Sequence, residues 1–392
     1  MTERVLITDG HWRKSLASVR ALGREGIHVT VGESTRLATA AFSRYCRRRI
    51  VYPSPLLRPE AFADFLEREL TATAYRMLLP MEDETVEIAS LHRGELSRKT
   101  YVPVPAPEIL LRARRKDLVI QEARALGIPT PRTWVPEGPS DLSKMKDRLP
   151  CPVVVKPRMG SGAVGVMYPD GPDALEAAYR AVHRRFPRPV IQERIPRRGV
   201  GFGASVLLDE GGRVKASFVH MRLREYPVTG GASTLRESVR RDDIRDMAVT
   251  LLKSLGWFGA AMVEFKHDPR DGQVKLLEVN PRFWGSLALA VAAGVNFPYL
   301  LCRMSRGERF SPVEDYRVGL RCRWLLPGDI LHFISNPRRG ELVREFFRFR
   351  DPKTVYDIVS VRDPLPTLAR ILTPLTFLYD PDMKHRMRTR RP

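Results

Sequence analysis

The chain's 392 residues suffice for two or three domains with sizeable cores, and 43% hydrophobic with 28% charged residues is ordinary for a soluble globular protein. The formal charge of +21, carried by 54 arginines and 12 lysines, would suit an anionic partner. No nucleic-acid motif with interleaved aromatics accompanies it, so nucleic acid is set aside as a partner.

The N-terminal run MTERVLITDG enters a strand at once, with no basic-then-apolar signal sequence. Cys46, Cys151, Cys302 and Cys322 lack metal-site spacing and read as isolated thiols in a reducing compartment, so a cytoplasmic location is expected. Strand Arg4–Thr8, helix Lys14–Arg24 stopped at Gly26, and strand Ile27–Val31 form a βαβ unit. A strand at Arg76–Pro80 runs into the acidic cluster Met81-Glu82-Asp83-Glu84, and a strand at Tyr101–Val104 meets the prolines 103, 105 and 107. Residues 1–107 therefore read as an open α/β domain. Glu108–Leu126 is predicted as one helix closed by Gly127, and strand Pro152–Lys156 leads through a glycine-rich loop to helix Pro172–Phe186. A strand-rich block follows from Pro189. Gly285–Met304 approaches membrane-spanning length, but Asn296 and Pro298 make it a buried helix and connection.

Three constellations carry chemistry. The first is Ala261-Met-Val-Glu264-Phe-Lys, a turn Asp268-Pro-Arg-Asp-Gly272, and Leu276-Leu-Glu278-Val-Asn280-Pro-Arg282. This is a hairpin whose alternation puts Glu264, Glu278 and Asn280 on one face, a hard oxygen set suited to Mg²⁺, with Arg282 placed to hold developing oxyanion charge. In the second, Lys156 ends a buried strand and is followed by Met159, Gly160, Ser161, Gly162 and Gly165. Glycines let backbone N–H groups approach phosphates, while the lysine presents a point charge. The order is not that of a Walker loop. The third is Gln192-Glu193-Arg194-Ile195-Pro196, where a strand leaves its sheet and Glu193 could accept from an exocyclic amine.

In this order the residues resemble the ATP-grasp superfamily over about 112–304, and within it the predicted carboxylate–amine ligases. The resemblance implies an α/β protein with α+β ATP-grasp lobes: a parallel-sheet domain at 1–107, ATP-grasp subdomains at 108–188 and 189–305, and a basic C-terminal extension at 306–392. It implies ATP with two Mg²⁺ ions, for which Mn²⁺ can substitute. Lys116 and Lys156 would bind phosphates, residues 159–165 would form the phosphate loop, and Gln192 to Pro196 the adenine hinge. Glu264, Glu278 and Asn280 would ligate metal, and Arg282 would steady the acyl phosphate. Where many members carry a ribose-binding acid, this chain has Val200 and Gly201.

The expected activity is phosphorylation of a small carboxylate and its coupling to an amine. Arg222, in His220-Met-Arg222-Leu-Arg224, would grip the γ-phosphate or the substrate carboxylate, with backbone N–H groups at 230–233 in support. His220 reads as structural, Arg224 as solvated or anion-binding. Glu82 and Asp83 would receive an ammonium or mark a helix start. Carboxylation, kinase-like transfer and a nucleotide-binding regulator without turnover are the alternatives. A regulator needs no Arg282. The apolar, proline-broken stretch Asp363–Tyr379 precedes Lys384, Arg386, Arg388, Arg390 and Arg391, and reads either as a last helix packed on the ATP-grasp lobes or as a peripheral contact with anionic membrane. The oligomeric state is left open.

Overall fold

The computed structural model describes residues 3–160, 162, 164–228, 230–380, 382, 384 and 385. Ser161 of the glycine loop, Thr229, and the tail arginines Arg386, Arg388, Arg390 and Arg391 lie outside the described residues.

Strands β1 (Arg4–Ile7), β2 (His28–Glu33), β3 (Cys46–Val51) and β4 (Met77–Leu79) form a parallel sheet in the order β3-β2-β1-β4. The central β1 is apolar on both faces, as a parallel strand covered on two sides must be. Helix Arg13–Arg24 buries Leu16, Val19 and Leu22. Strand β3 was not legible, because Arg47-Arg48-Arg49 breaks any apolar alternation, and its exposed edge position removes the need for one. Of the strand expected at Tyr101–Val104, only Tyr101 pairs, with Met77. Pro103 and Pro105 have no N–H to extend the ladder.

The helix expected at 108–126 is two helices, Pro107–Arg114 and Lys116–Ala125, broken at an extended Arg115 (φ −82°, ψ 109°). No glycine or proline marks the break. It occurs because the Lys116 N–H donates to the carbonyl of Arg158, at 2.9 Å, outside the helix. A small antiparallel sheet follows, with strands β5 (Thr133–Trp134), β6 (Val153–Lys156) and β7 (Val190–Glu193) in the order β5-β7-β6. Helix Pro172–Arg185 covers it, and Leu142, Val153, Val155, Leu175, Tyr179 and Ile191 form its separate core. The division expected between 188 and 189 cuts β7 from both of its partners.

The third sheet contains β8 (Gly201–Leu208), β9 (Val214–Tyr226), β10 (Ala232–Ser238), β11 (Gly259–His267), β12 (Val274–Asn280), β13 (Arg321–Arg323) and β14 (Thr354–Tyr356), in the order β12-β11-β8-β9-β10-β13-β14. Two core clusters run without interruption from the first domain into this sheet, so the first domain and the large sheet make one frame. Helices Leu287–Ala293 and Phe297–Ser305 bend by 80° and lie largely buried, as the sequence suggested. Among the described residues no single helix is long and apolar enough to cross a membrane.

The segment from 306 is not an appendage. It contributes β13 and β14 to the large sheet, and residues 363–372 then dock on the first domain, not on the later lobes as expected. Helix Leu365–Leu372 lies against the turn Thr39–Phe42. Buried Arg20 donates through Nε to Asp363 Oδ2 at 2.8 Å, and through its other nitrogens to the carbonyls of Asp357, Ile358 and Asp363. Breaking a buried pair leaves an uncompensated charge, so Asp363→Ala is expected to lower stability by about 3 kcal/mol. The fall in urea midpoint, followed by tryptophan fluorescence, measures it against Val361→Ser, a change at a 96% exposed position that should leave the midpoint in place. A wild-type midpoint for Asp363→Ala would contradict this docking.

Candidate active site

The antiparallel pairing of β11 and β12 sets Glu264 opposite Glu278 and Met262 opposite Asn280. Residues two apart share a face, and so do residues directly opposed, so both glutamates and Asn280 point the same way. Asn280 Nδ2 donates to Glu264 Oε1 at 3.0 Å, leaving the amide oxygen as the atom able to bind a cation. The hairpin face read from sequence is therefore present.

Cations from three other elements converge on it. Lys116, at the start of its helix because of the break at Arg115, lies 3.2 Å from Glu278 Oε2 and donates to the carbonyl of Gly160 at 2.7 Å. Arg222 on β9 reaches Glu264 Oε2 at 2.5 Å and Glu225 at 3.3 Å. Lys156, at the end of β6, donates to Gln192 Oε1 at 2.5 Å. Burial would raise the pKa of Glu278, but Lys116 and Lys156 outweigh it and hold the carboxyl below its ordinary value. Glu264 moves the other way: burial and the charge of Glu278 prevail over Arg222. Burial also pushes Lys156 down to about 8, against the attraction of Glu278.

The glycine loop leaves β6 and returns at Met167, whose backbone exchanges two 2.9 Å hydrogen bonds with Val155. Gly160, Gly162 and Gly165 all have positive φ, which only glycine adopts without strain. Side chains at the first two would meet open space, whereas one at Gly165 would strike Phe186. Gly165 is thus packed at the loop's end while Gly160 and Gly162 are open, with Met159 half-buried.

At the third constellation, Glu193 is engaged differently from the sequence reading. Its carboxylate takes Arg270 at 2.8 Å and Arg132 at 3.3 Å, so the side chain is occupied by guanidiniums rather than presented to an exocyclic amine. Arg194 pairs with Asp170 at 2.8 Å, and Ile195 is buried, so Pro196 follows an anchored stretch. Val200 accepts the N–H of His267 and Gly201 opens β8, so this stretch of chain is used in the sheet.

Pro281 ends β12, and Arg282 turns toward the first domain, where Nε donates to Asp83 Oδ1 at 2.7 Å and Nη1 to the carbonyl of Phe283 at 3.0 Å. Lys14, buried in the first helix, pairs with Glu82 at 2.6 Å and donates to Phe283 at 3.1 Å. Burial and the nearby Arg282 charge push Lys14 down to about 8. Asp9 Oδ2 accepts the N–H groups of Met81 and Glu82 and the hydroxyl of Thr85. Glu82 and Asp83 do start a helix, through a capping box with Thr85. The cations they hold are Lys14 and Arg282 of the same chain, which corrects the reading of them as receivers of a free ammonium. Sequence reading passed over Lys14 as an ordinary helical residue. The available signal was the position of residues 9–14 and 81–83 at the carboxyl ends of β1 and β4, the crevice where open parallel sheets bind ligands.

Two residues on β9 stand apart. Arg224 is buried against Asp329 at 2.9 Å and Glu345 at 2.7 Å, so it is neither solvated nor available to an anion. His220 is buried, kept neutral by desolvation, with Nε2 3.1 Å from Ser286 Oγ.

Residues 208–326 match a family described as "ATP-grasp in the biosynthetic pathway with Ter operon". The carbamoyl phosphate synthase large chain of Archaeoglobus fulgidus is 25% identical over 289 residues, covering 71% of this chain and 26% of the relative. This chain spans between 17% and 34% of the length of the carbamoyl phosphate synthase large chains it matches. Among solved structures, biotin carboxylase from Campylobacter jejuni superposes with a TM-score of 0.69 at 15% identity, over 82% of this chain and 74% of that one. The L-amino acid ligase of Bacillus licheniformis does so with a TM-score of 0.62 at 19% identity, over 78% and 74%.

With Lys156 at about 8 in the free protein, its charge is full below that pH and is lost above it. Were Lys156 to hold a nucleotide phosphate, affinity for ATP would weaken as pH rises through 8 to 10, by up to about tenfold per unit where binding needs that one proton. In Lys156→Met the affinity should be lower throughout and flatter over this range. Equal pH slopes for both proteins in a calorimetric titration would remove Lys156 from the phosphate site.

Proposed function

We propose that this chain, in keeping with its similarity to ATP-grasp proteins, is an ATP-dependent ligase that converts a small carboxylate to its acyl phosphate and couples it to an amine. The observation that carries this is the single face on which Glu264, Glu278 and Asn280 stand among Lys116, Lys156 and Arg222, with Arg282 one turn beyond. Phosphoryl transfer needs an anionic patch for divalent metal inside a cationic surround for phosphate, and this arrangement has both.

The donor set fits Mg²⁺. Glu264, Glu278 and the amide oxygen of Asn280 would hold the ion, with phosphate oxygens completing the shell. Bound Mg²⁺, one ion or two, would supply neutralisation of phosphate oxygens. Lys116 and Lys156 would bind the phosphate chain as point charges, and the open tip of the glycine loop would cover it with backbone N–H groups. Arg222 would orient the attacking carboxylate in line with the γ-phosphorus, so that a P–O bond forms as the bond to ADP breaks. Arg282, aimed and desolvated by Asp83, would hold the oxyanion formed when the amine adds to the acyl carbon. Addition of the amine makes the C–N bond, the nitrogen loses a proton, and collapse breaks the acyl C–O bond and releases phosphate. The adenine would lie at the β7 exit, against backbone groups of Glu193 to Pro196, since the Glu193 side chain is taken.

A screen of phosphate release from ATP and Mg²⁺, with amino acids and small carboxylates paired with amines, tests the reading. Release that requires both partners supports ligation. Release with bicarbonate alone would indicate carboxylation, a phosphorylated product carboxylation's kinase-like relative, and binding without release a regulator. In the ligase, Glu278→Gln is expected to remove most turnover with the urea midpoint little changed. Arg282→Ala should keep ATP affinity and lower kcat by about 10²-fold or more. Near-normal activity of Glu278→Gln at saturating Mg²⁺ would overturn the metal assignment, and a change confined to the KM for ATP would move Arg282 onto the nucleotide.

A further inference from the structure

Helix Leu365–Leu372 continues through short helical turns at Thr373–Leu375 and Thr376–Tyr379. One side is docked on the first domain: Pro366, Ala369, Thr373 and Thr376 are buried. On the other, Leu365, Leu368, Ile371, Leu372, Leu375 and Leu378 are between 48% and 73% exposed. Isolated exposed leucines need no explanation, but six in one helical run make a continuous apolar face.

The exposed charge around this face is basic, apart from Arg48, which Glu69 of the adjacent helix neutralises. Every acid between 352 and 385, namely Asp357, Asp363, Asp380 and Asp382, is buried, whereas Lys353, Arg362 and His385 are exposed. The segment under the helix behaves alike. Residues 34–58 contain six arginines, all exposed, and no acid. Arg44 joins the two segments, donating to the carbonyl of Arg362 at 3.3 Å and through its backbone to Asp363 at 2.8 Å. Arg49 lies over the ring of Phe42 in the turn on which the helix rests, at 4.6 Å. Arg47 to Arg49 belong to β3, the edge strand of its sheet, so no further strand covers them among the described residues.

An acidic protein groove would want the arginines without needing a leucine row, and nucleic acid has no use for the leucines. A bilayer interface takes both: leucines enter the acyl boundary while guanidiniums stay at phosphate level. We propose that the outer face of the 365–379 helix, with the arginines of 44–49, is a docking surface for an anionic lipid bilayer. The face is built from residues that take no part in the proposed ligase chemistry, so the proposal is independent of the ligase reading.

The test is co-sedimentation of the full chain with vesicles of mixed phosphatidylglycerol and phosphatidylcholine, and with phosphatidylcholine alone, at low salt. Binding is expected to the anionic vesicles only, and to fall about tenfold or more when salt shortens the Debye length to about 3 Å at 1 M. The double variant Leu368→Glu with Leu372→Glu, at exposed positions that leave the urea midpoint unchanged, should lose it, as should Arg47→Glu with Arg49→Glu. Equal binding to neutral vesicles, no binding to either, or retention by the leucine variant would overturn the proposal. So would a wild-type dimer in light scattering that the leucine variant dissolves, since the face would then be an interface between copies of this chain.

Discussion

Two half-buried carboxylates, Glu264 and Glu278, face each other across one pair of strands, and cations from three other elements gather around that contact. Like charges so placed disfavour each other's ionisation, and burial adds to the penalty. The pair is tolerable only if cations arrive from elsewhere. Lys116 comes from a helix broken to deliver it, Lys156 from the tip of the small sheet, and Arg222 from the middle of the large one. The balance differs at the two carboxyls. Glu278, with two lysines, stays ionised below the usual range, whereas Glu264, with one arginine and a charged neighbour, is pushed up. A divalent cation between them would remove the repulsion and favour ionisation of both, which links metal binding to proton release.

The same reasoning extends to the first domain. Arg282 lies partly buried beside Asp83, and Lys14 buried beside Glu82, so the carboxyl edge of the parallel sheet and the end of the β11–β12 hairpin share one ion-paired boundary. Hydrophobic clusters run across that boundary, which fixes Arg282 in a rigid frame. Lys156 and the glycine loop sit instead on the lobe with its own core. The groups proposed for acyl chemistry thus share one continuous core, and Lys156 and its loop sit on a lobe with a core of its own.

Sequence reading recovered the parts governed by local alternation. Glu264, Glu278 and Asn280 share a face because strand period and hairpin pairing leave no other choice, and Lys156 marks the point where an apolar strand run gives way to glycines. What it missed depends on contacts between distant segments. Nothing near Arg115 breaks a helix; the carbonyl of Arg158, brought from another element, does. Arg224 looks like a surface residue until Asp329 arrives from beyond 306. Lys14 has no local mark of its role, and neither does the docking of residues 363–382 on the first domain, which rests on Arg20, Ser43 and Arg44. β3 was illegible for a different reason: an edge strand with an exposed arginine run has no apolar pattern to read.

The account turns on an acyl phosphate, and transfer of oxygen tests it most directly. A carboxylate substrate labelled with ¹⁸O in both oxygens, turned over with ATP, Mg²⁺ and the amine, should give up one labelled oxygen per turnover to the released phosphate, because the bond broken in the final step is the acyl C–O bond. Mass spectrometry of that phosphate decides the matter. One ¹⁸O per phosphate is the predicted result, and unlabelled phosphate at full product yield would contradict activation of the carboxylate by phosphorylation.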